Sequence, residues 1–224
     1  MIEAIDEAIP LLIYDKTTKS IFIVNLDFTL TEKGESIIKD LPCPFGVITV
    51  AGMYRTGKSY LLNRMLLNRS SGFSVGPTIN PCTKGLWMWS SPIRSLSDEN
   101  MPIIVIDTEG FGAFDEDHNH DVRIFTLSIL LSSFFIYNSV GSIDENSIQS
   151  LSFVINLSNH IQMKMGNNIN NSEKNEVDHL SEIFPNFLWV IRDFSLQLIN
   201  ENSEEISDKV IINSLLGIFR KCFR

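Results

Sequence analysis

The eight residues Gly52-Met53-Tyr54-Arg55-Thr56-Gly57-Lys58-Ser59 spell G-x-x-x-x-G-K-S, and they constrain this chain more than any other stretch of it. Such a loop holds a phosphate only when a buried strand leads into it and a helix starts where it ends. The loop N–H groups and the helix N-terminus must converge on the anion. Both flanks are present. Phe45 to Ala51 is nearly all apolar or β-branched, as in a strand covered on both faces, and Tyr60, Leu61, Leu62, Met65 and Leu66 recur at helical spacing up to Asn68. In this setting Gly52 and Gly57 let backbone N–H groups surround a β-phosphate. Lys58 bridges the β- and γ-phosphates, and the hydroxyl of Ser59 is a ligand for Mg²⁺.

A second buried strand, Pro102 to Ile106, stops at Asp107-Thr108-Glu109-Gly110. This places an acid at the carboxyl end of the sheet, beside the phosphate loop, where Mg²⁺ meets an outer carboxylate. An isolated Asp after a strand is as readily a cap or turn residue; its pairing with the phosphate loop makes Asp107 the expected metal partner. Thr83, in the polar loop between the two motifs, offers a further hydroxyl to the same ion.

Around this centre the pattern predicts an α/β phosphate-loop NTPase: a mostly parallel central sheet flanked by helices in three layers. Pro10 to Tyr14 and Ser20 to Val24, split by a polar turn, read as a hairpin, and a short helix runs up to Leu41, so residues 1–44 form an extension of the domain core at 45–216. Leu86 to Trp89, Phe134 to Tyr137 and Phe187 to Ile191 read as further strands. Helices are expected between Asp121 and Phe134, over about Asp144 to Lys164, and near Asp208 to Phe219, with an exposed Asn-rich loop from Gly166 to Asn175.

With 18 Lys+Arg against 27 Asp+Glu the formal net charge is −9, which repels phosphate backbones and anionic lipid and argues against a nucleic-acid partner. The longest apolar-leaning run, Ile124 to Tyr137, is interrupted by Thr126, Ser128, Ser132 and Ser133 and falls short of the ~20 residues of a membrane helix, so no transmembrane segment is expected. Cys43, Cys82 and Cys222 are odd in number and lack metal-ligand spacing, and the first residues carry acid where a signal peptide needs base. Together these predict reduced thiols in a cytoplasmic protein. Trp87, Trp89 and Trp189 read as packing residues. His118 and His120 sit among Asp115, Glu116, Asp117 and Asp121 like a metal cluster, but a loop this acidic reads as a solvated one.

Five blocks occur in one order: GMYRTGKSYLLN from Gly52, TKGLWMW from Thr83, DTEG from Asp107, LLSSFFIYNSVGSI from Leu130 and VIRDFSLQL from Val190. With them the chain resembles the guanylate-binding protein family of large, dynamin-related GTPases, from about Pro10 to Leu216, and more so than the related atlastins. The resemblance implies GTP and GDP as ligands, Mg²⁺ as cofactor and a homodimer formed through the nucleotide-binding face. It implies that Arg192-Asp193 replaces the usual guanine motif, with Asp193 accepting from the base N1–H and exocyclic amine. Arg55 would be an arginine finger in cis, swung onto the phosphates by dimerisation. Thr83 would close over Mg²⁺ as a switch, Gly110 would donate its N–H to the γ-phosphate, and Glu109 would order the attacking water. Tyr54, Thr56, Tyr60, Val75, Gly76 and Thr108 complete the implied nucleotide contacts.

Two departures from that family pattern bear on activity. Two residues before Thr83 the family usually has a serine; here Pro81, followed by Cys82, has neither hydroxyl nor N–H, which predicts slowed hydrolysis. After a helix like Asp208 to Leu216 the family continues with a strand, a guanine-capping loop, a helix and a helical stalk, none of which fits into residues 217–224. The expectation is a truncated C-terminal end and a sheet short of one edge strand. A non-catalytic or decayed nucleotide-binding module therefore stands as the alternative to a GTPase, and an adenine-specific ATPase is disfavoured by Arg192-Asp193.

Overall fold

In the computed structural model the described residues are 6–14, 28–76, 83–94, 101–112, 118–142 and 185–194, and they contain eight strands of one sheet. These are β1 (Ala8–Tyr14), β2 (Phe28–Leu30), β3 (Gly46–Ala51), β4 (Leu86–Trp89), β5 (Ile93–Arg94), β6 (Pro102–Thr108), β7 (Phe134–Val140) and β8 (Asn186–Arg192). Helix α1 (Glu32–Lys39) precedes β3. Helix α2 (Lys58–Leu61) follows the phosphate loop and widens into a π-helical turn, Leu62–Leu66, and α3 (His118–Leu130) precedes β7. The strand expected at Ser20 to Val24, the helices over 144–164 and 208–219, the loop over 166–175, and Pro81 with Cys82 lie outside the described residues. Contacts divide the chain into two units, Met1–Ser139 with Ser172–Val190, and Val140–Asn171 with Ile191–Arg224; the phosphate loop belongs to the first.

Strand order is β2-β1-β4-β6-β3-β7-β8, with β5 also paired to β6. The expected parallel pairing holds at the centre, where β3 lies between β6 and β7 and is parallel to both. Four further pairs are antiparallel: β4 and β5 against β6, and β1 against β4 and β2. The sheet is therefore mixed, with its parallel part at the centre beside the phosphate loop. For β5 the reason is connection length: residues 95–101 are too few for the dozen or more that a parallel crossover to β6 needs. The second strand of the expected hairpin, Ser20 to Val24, lies outside the described residues; β1 pairs antiparallel with Phe28–Leu30.

The apolar alternation of the central strands sorts side chains to two faces. Val50, Val105 and Ile136 pack with Leu62 of the π-helical turn, Phe73 and Trp89. Phe135 and Tyr137, one residue to either side of Ile136, place their rings against Phe125 of α3 at centroid distances of 5.6 and 5.9 Å. Helical segments thus cover β3 and its neighbours on both sides, giving the three layers expected. Thr49, Val50 and Ala51 are wholly buried.

The short α1 is stabilised locally. Thr31 caps it by accepting the Gly34 N–H at 3.1 Å, Glu32 and Glu35 lie in the first turn, and Glu35 pairs with Lys39 one turn later. Trp89 is buried in the core, and Trp189 packs on Tyr137 while its Nε1 donates to Ser139 Oγ at 2.8 Å, in keeping with packing roles. No helix among the described residues is long and apolar enough to cross a membrane.

Candidate functional site

The phosphate loop leaves β3 through a gap that admits no side chain. A Cβ on Gly52, whose φ is +153°, would fall 2.0 Å from the carbonyl oxygen of Asn138 in β7. Asn138 is itself buried and donates Nδ2–H to the Thr56 carbonyl at 3.0 Å. On the other side, Tyr54 N–H donates to the Phe111 carbonyl at 2.9 Å and Phe111 N–H to the Gly52 carbonyl at 3.2 Å. Within the loop, the Thr56 hydroxyl donates to the Met53 carbonyl at 2.8 Å. Gly57 takes a left-handed conformation and caps α2, and Arg55 is exposed with φ +61°.

The carboxylate and hydroxyls that the sequence nominated meet at one atom. Asp107, fully buried at the end of β6, accepts on Oδ2 from Ser59 Oγ at 2.6 Å and from Thr83 Oγ1 at 3.2 Å. Lys58 is buried beside them and donates to the Met53 carbonyl at 3.1 Å. Burial pushes the Lys58 ammonium below its ordinary range, offset in part by Asp107 and Glu109. Burial likewise raises the Asp107 carboxyl, against the pull of Lys58 and of hydrogen bonds from Ser59, Thr83 and the Thr108 backbone.

This donor set fits Mg²⁺. All three nominated groups are hard oxygen donors, and Asp107 Oδ1 is buried with no hydrogen-bond partner in the protein. A dication here would offset the desolvation that raises the carboxyl. No group of three or more His, Cys, Asp or Glu among the described residues forms a metal cage, and Mg²⁺ at a nucleotide site needs none, because phosphates and waters supply most of its ligands.

Beyond Asp107 the chain hugs the loop. A Cβ on Gly110 would lie 2.3 Å from Tyr54 Cα and 2.8 Å from Lys58 Nζ. Glu109 is buried and laced to Gly85: its N–H donates to the Gly85 carbonyl at 2.9 Å, and Gly85 N–H donates to Glu109 Oε2 at 2.8 Å. His120 Nε2 lies 3.1 Å from that same Oε2. The solvated-loop expectation is thus corrected at His120, which is 4% exposed.

The remaining nominated residues are more dispersed. The Thr108 hydroxyl donates to the Val50 carbonyl at 2.9 Å and so ties β6 to β3. Tyr60 is half exposed, with the Arg64 guanidinium 5.6 Å over its ring, and Val75 and Gly76 are exposed. Arg192 closes β8 and accepts the Gly141 N–H at 2.8 Å; Asp193 follows, exposed, with φ +51°. Both belong to the second unit.

With this geometry in place, the family follows from comparison: the guanylate-binding protein N-terminal domain model matches residues 25–221. The chain belongs to the guanylate-binding protein family. It is 35% identical to guanylate-binding protein 7 of Mus musculus over 85% of this chain, and 36% identical to guanylate-binding protein 4 of Homo sapiens over 84%. Identity to guanylate-binding protein 2 of Homo sapiens is 40% over 72%. The chain spans 29% of the length of each of the first two relatives and 27% of the third.

In this guanylate-binding protein domain, three residues that motif reading overlooked bond to the loop or to Glu109: Asn138, Gly85 and His120. Asn138 had a visible signal, a polar amide following the apolar run Phe134 to Tyr137 in one strand, where burial requires a partner. Gly85 and His120 had none, because only the folded chain brings them to Glu109.

Proposed function

We propose that this chain binds GTP with Mg²⁺ and hydrolyses it to GDP and phosphate. The observation that carries the reading is the convergence of the Ser59 and Thr83 hydroxyls on Asp107 beside the buried Lys58. Loop N–H groups and Lys58 hold the β- and γ-phosphates, while Ser59, Thr83 and Asp107 would hold Mg²⁺. When bound, the ion neutralises charge on the phosphate oxygens. Gly110 donates its N–H to the γ-phosphate, and Glu109 orients the water. The water oxygen adds to the γ-phosphorus in line, the bond to the bridging oxygen breaks, and GDP leaves with the electron pair.

Arg55 supplies the missing positive charge. It sits on the outer turn of the loop, and a homodimer formed across the nucleotide faces would bring its guanidinium onto the phosphates, worth ~10³–10⁵ in rate. Asp193, preceded by Arg192, selects guanine through the base N1–H and exocyclic amine, a donor pair adenine lacks. The charge balance and the absence of metal-ligand spacing among the cysteines support a cytoplasmic domain with no nucleic-acid partner.

The test is titration of the full chain with a fluorescent GTP analogue and Mg²⁺, competed with GTP and with ATP, beside Lys58→Ala. Saturable binding that GTP alone displaces and Lys58→Ala abolishes is the expected result. ATP competition would overturn the guanine assignment, and no binding by folded protein would overturn the reading entirely. Turnover that rises per molecule with protein concentration supports the dimer; binding without turnover would favour a non-catalytic module.

A further inference from the structure

We infer that His120 is a positioning residue for hydrolysis, acting through Glu109; the inference rests on the GTPase reading above. The two side chains form a buried pair, each 3% exposed, with His120 Nε2 3.1 Å from Glu109 Oε2. With Nε2–H as the donor, the imidazole gives Oε2 a hydrogen bond. Gly85 N–H donates to the same oxygen at 2.8 Å. The last torsion of a Glu side chain is intrinsically broad and two-fold. Two donors from different segments, converging on one oxygen, remove that freedom and set the direction of the other oxygen. That oxygen, Oε1, is buried and makes no hydrogen bond within the protein, which leaves it as the acceptor for a water.

His120 is itself held from two sides. It lies in the first turn of α3, and its ring stacks on Phe28 of β2 with centroids 5.7 Å apart and planes 24° from parallel. Gly85 follows Thr83 by two residues, and Glu109 follows Asp107 by two. The carboxylate of Glu109 therefore joins α3 to the two segments that supply Thr83 and Asp107. His120 bonds to Glu109 and stacks on Phe28, so its loss is expected to leave nucleotide binding intact and to misplace the group that Glu109 orients. A misplacement of about 1 Å at a reacting centre costs on the order of 10²-fold in rate.

Two substitutions separate the donor from the ring. His120→Phe keeps an aromatic ring for Phe28 and removes the N–H; His120→Gln keeps an N–H near the place of Nε2 and removes the ring. Single-turnover GTP hydrolysis, Mg²⁺·GDP affinity and melting temperature are measured for both and for the wild type. The expected result is GDP affinity within about twofold of wild type in both, hydrolysis slowed about 10–100-fold in His120→Phe, and most of the rate retained in His120→Gln. Wild-type rates in His120→Phe, equal slowing in both variants, or loss of GDP affinity in step with rate would overturn the role of His120. A wild type that binds GTP and does not hydrolyse it would sink the GTPase reading and this inference with it. Hydrolysis by the wild type and both variants alike would sink only the inference.

Discussion

Ser59 Oγ donates to Asp107 Oδ2 at 2.6 Å, joining the first turn of α2 to the end of β6 across 48 residues of sequence. The bond links the phosphate loop to the second nominated motif through the two groups that Mg²⁺ would share. A hydrogen bond to a charged group contributes about 1.5–3 kcal/mol. Ser59→Ala is therefore expected to weaken Mg²⁺·GDP binding about 10–100-fold and to leave binding in EDTA unchanged. Paired titrations with and without chelator check this; equal losses in both conditions would remove Ser59 from the metal site.

Arg55 holds a left-handed backbone, φ +61°, that costs a non-glycine residue about 1–2 kcal/mol. Strain of this kind persists where function requires the side chain. Arg55→Gly is expected to melt no lower than wild type, with a gain of up to about 1 kcal/mol after the entropy of glycine is counted, while turnover falls about 10³-fold or more. Arg55→Ala should lose turnover equally with no gain in stability. Melting curves and turnover at high protein concentration decide; full turnover in either variant would remove Arg55 from catalysis.

Gly110 is needed for space. Its hypothetical Cβ meets backbone, Tyr54 Cα at 2.3 Å, and backbone cannot rotate aside as a side-chain tip can. Gly110→Ala is expected to lower stability by about 1–3 kcal/mol through overpacking and to weaken nucleotide binding at least tenfold by displacing the phosphate loop. Denaturant melts and nucleotide titration test this, and wild-type affinity would show that the loop yields without consequence.

Asn63 is buried under the loop that leads to Val75 and Gly76, and it grips that loop twice: Nδ2–H donates to the Phe73 carbonyl at 2.9 Å and Oδ1 accepts the Phe73 N–H at 2.8 Å. Asn63→Ala leaves both backbone groups buried without partners, a loss of about 2–4 kcal/mol. A melting shift well under 1 kcal/mol would mean that water reaches Phe73 readily.

Nucleotide affinity should depend on pH with opposite signs at the two ends. Burial raises the Asp107 carboxyl, and Mg²⁺ favours its charged form, so binding releases a proton. Affinity then rises as pH climbs through the raised range. Burial lowers the Lys58 ammonium, and phosphate favours its charged form, so binding takes up a proton and affinity falls as pH passes above the depressed value. The expected profile of Mg²⁺·GDP affinity is a bell, with its acid limb flattened in Asp107→Asn. A flat wild-type profile would show that neither group changes charge on binding.

The phosphate loop, its strand and the Asp107 motif were legible because each is written in contiguous residues whose local chemistry suffices. Gly52 to Ser59 needs glycines at two places and a lysine after the second, and β3 needs only an unbroken apolar run. The short α1 was legible for a similar reason, since Thr31, Glu35 and Lys39 act within two turns. Where the chain must choose among distant partners, the sequence was silent. It did not say that β1 would pair with Phe28–Leu30, that β4 and β5 would lie antiparallel on β6, or that the Thr108 hydroxyl would be used up on Val50.

His120 marks the boundary most clearly. In the sequence it is one histidine in an acidic stretch, where solvation is the sensible reading. In the fold it is buried, with Phe28 of β2 stacked on its ring and Glu109, just past β6, bonded to its Nε2. The identities of the groups that could bind phosphate and Mg²⁺ belong to the sequence, since charge, hydroxyls and the freedom of glycine are properties of single residues. Which of them share one oxygen, and which are shut away from water, was decided by tertiary packing. Burial and hydrogen-bond geometry are relations between segments, and no single segment carries them.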